Sequence, residues 1–148
     1  MFTERFAKGR VQRLQFRPDG AALIVEDASS RQVDFTESVR WWSLASRKET
    51  KTEIVKAQQV AVAANGSVLA AYLFDDETEE DRLIARMLGR GDEIEISVTH
   101  SADVFCMALT PDGSKLVASC FDDPEGARKD RLYQWDLTGN AKPCRPHT

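Results

Sequence analysis

Short apolar runs, separated by tight polar turns, recur along the chain at a regular interval. Three turns align on their glycines, Gly20, Gly66 and Gly113, which are 46 and 47 residues apart. Apolar segments precede the turns at Val11, Leu14, Phe16, then Val60, Val62, then Val104, Met107, Leu109, and others follow them at 21–25, 68–74 and 116–121. Because Asp or Asn followed by Gly supplies the positive-φ corner of a turn, each repeat is predicted to begin as a β-hairpin.

A third strand is predicted in each repeat, at 39–44, 83–88 and 132–137. Its last residue is a leucine that lies 24, 22 and 24 residues after the turn glycine. The last two repeats also share Phe-Asp-Asp before the preceding loop and Asp-Arg-Leu after it, which supports duplication independently of the glycines. A helix is the alternative at 77–87, which is rich in helix formers, but the alignment with the other repeats favours a strand.

Fourth strands are predicted only after the first two repeats. They lie at 52–55 and at 93–98, where apolar and polar residues alternate. No strand is predicted after the third repeat, because 138–148 is polar and contains Pro143 and Pro146, and proline removes ladder donors. The N-terminal segment 2–7 is semi-apolar and has no repeat of its own.

The third repeat resembles a WD repeat, the unit of WD-type β-propellers. Counting from His100, the family spacing is matched at Val104, Met107, Leu109 and Pro111-Asp112-Gly113, and the repeat closes on Trp135-Asp136. The first repeat keeps Pro18-Asp19-Gly20 and Trp42, whereas the second keeps Asn65-Gly66 and has Arg86-Met87 in place of Trp-Asp. The resemblance covers 11–137 and is greater to prokaryotic members than to the regular eukaryotic ones.

This resemblance implies an all-β fold: three four-stranded antiparallel blades of a WD-type β-propeller, an incomplete ring in one chain. It implies one partial propeller domain over 1–148, with blades at about 11–57, 58–98 and 99–137. In the family, His, Ser or Thr, Asp and Trp form a buried structural hydrogen-bond relay, which implies that role for His100, Ser119, Asp122 and Trp135. The four also suggest a catalytic triad, but no Gly-x-Ser-x-Gly elbow is present, and the structural interpretation is favoured.

Three blades are fewer than the roughly 4–8 of known propellers. The outer faces of the first and third blades would then be apolar and uncovered, which predicts a protein partner or self-association, including a six-bladed homodimer. The candidate interface residues are Phe2 and Phe6, in a segment (2–7) predicted to supply the outer strand of the third blade of a second chain, and Trp41. For Trp41 a core position is the favoured alternative, because both faces of a propeller blade are covered.

Composition and charge narrow the class of protein. The 148 residues are 42% hydrophobic and 30% charged, with a net charge of −4, so no nucleic-acid partner is expected. No apolar run is long enough to span a bilayer, and the N-terminus does not resemble a secretory signal. Cys106, Cys120 and Cys144 lack metal-site spacing; the first two are predicted to be small buried hydrophobes of a reducing, cytoplasmic compartment.

Six acids in residues 75–81 form the strongest charge cluster. Because Ca²⁺ takes six to eight oxygen ligands, a calcium site is one hypothesis, with the ligands Asp75, Asp76, Glu77, Glu79 and Asp81. The cluster lacks the glycine and the alternating spacing of an EF-hand loop, so a solvated loop is favoured, and a basic partner is a third alternative. No cofactor is expected.

The sequence therefore predicts a non-enzymatic protein–protein interaction scaffold or regulatory module of WD-repeat type. Three features argue against an enzyme. The sequence has only one histidine besides His100, it has no phosphate-binding glycine loop, and it has no metal-site spacing. The alternatives are a fragment of a larger propeller enzyme or ligand-binding sensor, and a self-assembling half propeller.

Overall fold

The computed structural model describes residues 9–29, 36–75, 80–96, 103–122, 129–138 and 143–147, which form twelve strands. The first sheet contains β1 (Gly9–Phe16), β2 (Ala22–Ser29), β3 (Thr36–Ser43) and β4 (Lys48–Lys56). The second contains β5 (Gln59–Val62), β6 (Val68–Asp75), β7 (Glu80–Met87) and β8 (Glu93–Ile96), and the third contains β9 (Asp103–Leu109), β10 (Lys115–Asp122), β11 (Lys129–Asp136) and β12 (Pro143–His147). Each sheet has four antiparallel strands in sequential order, which confirms the predicted fold class.

The chain divides into two compact units. Met1–Lys56 contains the first sheet, and Ala57–Thr148 contains the second and third sheets. The described residues include no helix, and therefore none long and apolar enough to cross a membrane.

The three hairpin turns are built in the same way. The amides of Gly20, Gly66 and Gly113 donate to the carbonyl three residues earlier at 2.8–2.9 Å, and all three glycines have positive φ. The preceding Asp or Asn accepts a bond from the backbone amide two residues on, at 2.8–3.0 Å. These shared bonds give the glycine-based repeat a physical basis.

A second bond recurs at the end of each third strand. The amides of Leu44, Leu88 and Leu137 donate to the carbonyl of the residue after the turn glycine, at 3.1, 2.8 and 2.8 Å. The leucine that marks the sequence repeat is therefore the residue at which the third strand is fastened to the hairpin.

The strand prediction for the third element of the second repeat is confirmed, and the helical alternative at 77–87 is wrong. β7 pairs with β6 along its whole length and with β8 over 83–86. Arg82 and Arg86 form ion pairs with Glu95 and Glu93 of β8, at 3.2 and 2.9 Å. Cross-strand pairing thus overrides the helix propensity of this segment.

The prediction that no strand follows the third repeat is wrong. β12 pairs with β11, with Pro143 opposite Trp135, Cys144 opposite Gln134 and His147 opposite Leu132. Proline is tolerated here because β12 has only one neighbouring strand and Pro143 is its first residue. The position proposed for 2–7 at the edge of β11 is thus occupied from the same chain; Phe2 and Phe6 lie outside the described residues.

The core of the second unit lies between its two sheets. One buried cluster joins Ala61, Ala70, Tyr72, Leu83 and Ala85 of the second sheet to Met107, Leu116, Ala118, Tyr133 and Trp135 of the third. Cys120 belongs to this cluster, as predicted, but Cys106 is exposed. The prediction for Cys106 is wrong because β9 has an irregularity between Val104 and Cys106, which turns the thiol to the other face of the sheet.

Candidate functional site

An open cleft lies in the second unit, where the turns of the second and third sheets meet. It has a volume of about 470 Å³. Its apolar lining consists of Val68, Met87, Leu88 and Leu137, and its polar lining consists of Ser67, Arg90, Asp112, Ser114 and Thr138, with Gly113 between them. Apolar surface with a few convergent polar groups is the usual character of a ligand-binding depression.

The two sides of the cleft are held together by their hairpin turns. The Asn65 amide donates to the Pro111 carbonyl at 3.0 Å, and Asn65 Nδ2 donates to the Asp112 carbonyl at 3.0 Å. Gly113 sits directly against the other turn: a Cβ at this position would lie 2.7 Å from Val68 Cγ2 and 2.9 Å from Ser67 Oγ. The cleft is therefore a fixed depression between two joined turns.

The hydroxyl groups around the cleft are already engaged. Ser67 Oγ donates to Asn65 Oδ1 at 2.6 Å, Ser114 Oγ donates to Asp112 Oδ1 at 2.9 Å, and Thr138 Oγ1 donates to Asp136 Oδ1 at 2.5 Å. No histidine lines the cleft. A serine nucleophile needs an adjacent general base to become reactive, and the described lining offers none.

Asp112 is held as a carboxylate. Hydrogen bonds from the Thr110 hydroxyl and from the amide and hydroxyl of Ser114 lower the pKa of Asp112 from 3.8 to about 2. Hydrogen bonds from the hydroxyl and amide of Thr138 similarly lower the pKa of Asp136. Because an effective general acid or base has a pKa near the working pH, Asp112 is suited to fixing the turn and not to proton transfer at neutral pH.

Acid titration should expose this role of Asp112. The folded-state pKa lies below the unfolded value, so the stabilisation is complete above about pH 4 and is lost as the pH falls towards 2. Asp112→Asn keeps an acceptor oxygen but cannot be protonated, so we expect its melting temperature to fall less than that of the wild type between pH 4 and pH 2. The control is Asp92→Asn, an exposed residue of the same unit. Identical pH profiles for Asp112→Asn and the wild type would contradict this assignment.

Arg90 supplies positive charge at the rim of the cleft. It follows Leu88 and Gly89 in the turn after β7, is exposed, and is in no ion pair with a described residue. Its amide donates to the Met87 carbonyl at 3.3 Å, which fixes the backbone of the turn. The cleft therefore combines an apolar floor with one guanidinium group that is available to an acidic ligand.

Two members of the predicted relay, Ser119 and Trp135, are described by the structure. Ser119 lies opposite Leu132, and Trp135 lies opposite Leu116. Side chains on a strand alternate between the two faces, so Ser119 and Trp135 point to opposite faces of the third sheet. The indole N–H of Trp135 is buried and has no acceptor among the described residues. Trp135 is thus a core residue whose indole faces away from Ser119; His100 and the side chain of Asp122 lie outside the described residues.

The other predicted site residues are only partly described. Of the calcium candidates, Asp75 lies at the end of β6 and Asp81 in β7, with backbones described, whereas Asp76, Glu77 and Glu79 lie outside the described residues. The calcium hypothesis stays a prediction. Trp41 is buried, and Lys51 Nζ lies 4.9 Å from its ring centroid, as expected for the core alternative.

The cleft itself was not predicted from the sequence. No binding motif in the sequence contains the lining residues Met87, Leu88 and Arg90. The sequence identifies Leu88 and Leu137 only as the ends of predicted strands. The shared leucine spacing could have located the strand ends, but it does not show that two such ends meet at one depression.

Comparisons with known proteins identify the fold. No protein-family model and no curated protein matches this chain. Among solved structures, the β-propeller domain of the Trilobed protease from Pyrococcus furiosus is similar at 12% identity with a TM-score of 0.62, covering 95% of this chain and 43% of that chain. TolB from Acinetobacter baumannii is similar at 14% identity and 0.62, covering 93% and 32%.

The acylaminoacyl peptidase of Pyrococcus horikoshii gives a further likeness, at 10% identity and a TM-score of 0.61, covering 94% of this chain and 26% of that chain. The chain thus has a β-propeller fold and spans less than half the length of each of these structures. The similarity extends to β-propellers in general and not specifically to the WD-repeat type.

Proposed function

We propose that this chain is a non-enzymatic protein-interaction module of WD-repeat type, and that the cleft between the second and third sheets binds a short extended peptide segment. The observation that carries the proposal is the cleft of about 470 Å³ with an apolar floor. Its volume lies within the range of about 300–1,000 Å³ that holds a small ligand, and we assign it to one or two side chains of a bound segment.

The polar groups of the cleft support binding over catalysis. Ser67, Ser114 and Thr138 donate to turn carboxylate or amide oxygens, and the low pKa of Asp112 keeps it ionised at neutral pH. A hydrolytic site would need a nucleophile beside a base and an oxyanion pocket. Incubation with chromogenic ester and peptide substrates should therefore release no product above background, and saturable turnover by the pure chain would overturn the non-enzymatic assignment.

The chemistry of the preferred ligand follows from the charge of Arg90 and the apolar lining of the cleft. A peptide with an apolar side chain next to an acidic residue would place the first against Leu88 and Leu137 and the second near the guanidinium group. Charge complementarity of this kind favours one class of partner over others.

Selection from a random peptide library tests the ligand class. We expect the selected peptides to pair an acidic with an apolar residue, and Arg90→Glu to weaken their binding about tenfold, which corresponds to about 1.4 kcal/mol, by isothermal titration calorimetry. Lys48→Glu makes the same charge reversal on the exposed strand β4 of the first unit and should leave binding unchanged. Failure to enrich such peptides, or equal binding by Arg90→Glu, would contradict the proposal.

A second candidate function rests on the lengths of the compared structures. The chain spans 26–43% of the structures from the two Pyrococcus species, and the second proposal is that it is the partial propeller of a larger enzyme or sensor. In that case the chemistry would belong to other segments, and the cleft would still bind peptide. A longer parent chain with its own catalytic motif would favour this candidate.

A further inference from the structure

Each face of one sheet corresponds to a face of the other two sheets, because the repeats align residue by residue. Leu23, Leu69 and Leu116 each lie three residues after the turn glycine, and we call the face that bears them the front face and the opposite one the back face. On the front face, one cross-strand row is Phe16–Leu23–Trp42 in the first sheet and Leu109–Leu116–Trp135 in the third. On the back face, the matching row is Ala61–Ala70–Ala85 in the second sheet and Ala108–Val117–Gln134 in the third.

The second unit shows what these faces do. The buried cluster consists of back-face residues of the second sheet, including Ala70, Ala85 and Leu83, and front-face residues of the third, including Leu116 and Trp135. A back face therefore packs on a front face, and both rows are buried by the contact. This is the sheet-on-sheet packing that builds a propeller core.

The front face of the first sheet is exposed along β1, whereas Val25 and Asp27 on β2 are buried. Leu14 and Phe16 are 59% and 64% exposed, and Leu23 and Trp42 are half-buried. Their equivalents in the third sheet, Met107 and Leu109, lie in or against the buried cluster. Along β1 the first sheet thus presents large apolar front-face side chains that are not buried.

The third sheet carries a back face that is also exposed. Leu132 is 54% exposed and Ala108 is exposed, whereas the equivalent Leu83 and Ala61 of the second sheet are fully buried. The centre of this face holds Val117, Ser119, Leu132 and Gln134, none of them charged.

Charges on the front face of the first sheet are compensated within the sheet. Arg40 lies 3.3 Å from Asp27 and 3.8 Å from Glu49. Neither exposed face therefore selects a strongly charged partner, and both favour another sheet with an apolar centre.

We infer that the occupant of these faces is a second copy of this chain, with the back face of the third sheet of one copy packed on the front face of the first sheet of the other. The interface would repeat, between copies, the one seen between the second and third sheets. Because it joins two different surfaces, it is a heterologous contact, and a pair of copies that forms it twice leaves neither face uncovered. Two copies supply six sheets, which lies within the roughly 4–8 blades of closed propellers.

Two charge-introducing variants test this pairing, one on each face. Leu14→Glu and Leu132→Glu change side chains that are exposed in the single chain, so neither should unfold it. We expect the wild type to have the mass of two chains at micromolar concentration by light scattering, and each variant to have the mass of one. Lys48→Glu, which places a negative charge on the opposite face of the first sheet, should keep the mass of two chains.

Mixing the two variants gives the decisive result. A mixed pair contains one interface with both changes and one with neither, because the Leu14→Glu copy has an intact back face and the Leu132→Glu copy an intact front face. The mixture should therefore regain the two-chain mass. A monomeric wild type, a two-chain mass for Leu132→Glu alone, or no recovery on mixing would overturn the inference.

This association is independent of the peptide cleft. Arg90→Glu should retain the two-chain mass, and Leu132→Glu should retain peptide binding. Loss of one property without the other therefore shows which of the two proposals has failed.

Discussion

Replacement of Trp135 by alanine is expected to lower the free energy of unfolding of the second unit by about 3–5 kcal/mol, the range for removal of a fully buried large aromatic. The ring is completely buried and stacks on Tyr133, with the centroids 5.9 Å apart and the planes 22° apart. It lies in the contact between the second and third sheets, so its loss removes packing from both. Urea titration followed by circular dichroism, which does not need the indole as a probe, would measure the change.

Two further variants make this prediction specific. Trp42→Ala removes the tryptophan at the matching register of the first sheet, where the ring is only half-buried, and should cost roughly half as much. Trp135→Phe keeps a ring and removes the buried N–H that has no described acceptor, so it should cost less than Trp135→Ala. Equal losses for Trp135→Ala and Trp42→Ala would show that burial between the sheets is not the cause.

The second large effect is expected for Gly113→Ala, at about 3 kcal/mol. An alanine at φ +75° costs about 1–2 kcal/mol, and the contact of its methyl group with Val68 and Ser67 adds overpacking of about 1–3 kcal/mol. The clash would also push apart the two turns that form the sides of the cleft. Urea denaturation measures the stability, and binding of a selected peptide measures the cleft.

Gly91 provides a matched control in the same unit. Its φ is +77°, but nothing lies within 4 Å of an added Cβ, so Gly91→Ala carries the backbone strain without the clash. We expect it to cost about 1–2 kcal/mol and to leave peptide binding unchanged. A loss for Gly113→Ala no larger than that for Gly91→Ala would refute the packing role of Gly113.

The repeat pattern predicted the sheets because it follows local chemistry. A glycine after Asp or Asn marks a turn with positive φ, and the structure has such a turn at Gly20, Gly66 and Gly113. The close approach of Gly113 to Val68 depends on how two sheets pack, and nothing in the local sequence states it. The sequence therefore predicts the turn at Gly113 but not the close packing of Gly113 against the neighbouring turn.

The errors arose where register or position in the sheet decides the outcome. The family resemblance implies one relay for Ser119 and Trp135, whereas the register of β10 and β11 places them on opposite faces. Pro143 predicts the absence of a strand, whereas an edge strand tolerates it. The irregularity in β9 exposes Cys106, and it follows from pairing with β10 that the apolar pattern does not show.

The turn at Asn65 has a consequence for chemical ageing. An asparagine followed by glycine deamidates when the glycine nitrogen attacks the side-chain carbonyl, and in this turn the Gly66 amide donates to the Ala63 carbonyl at 2.8 Å. The side-chain oxygen is held by the Ser67 amide and hydroxyl, and Nδ2 is held by the Asp112 carbonyl. Folding thus restrains both reacting groups, and conversion to aspartate would replace the donor that joins the two turns with an acceptor. The rate of deamidation at Asn65 in the folded protein is consequently limited by how often this turn opens.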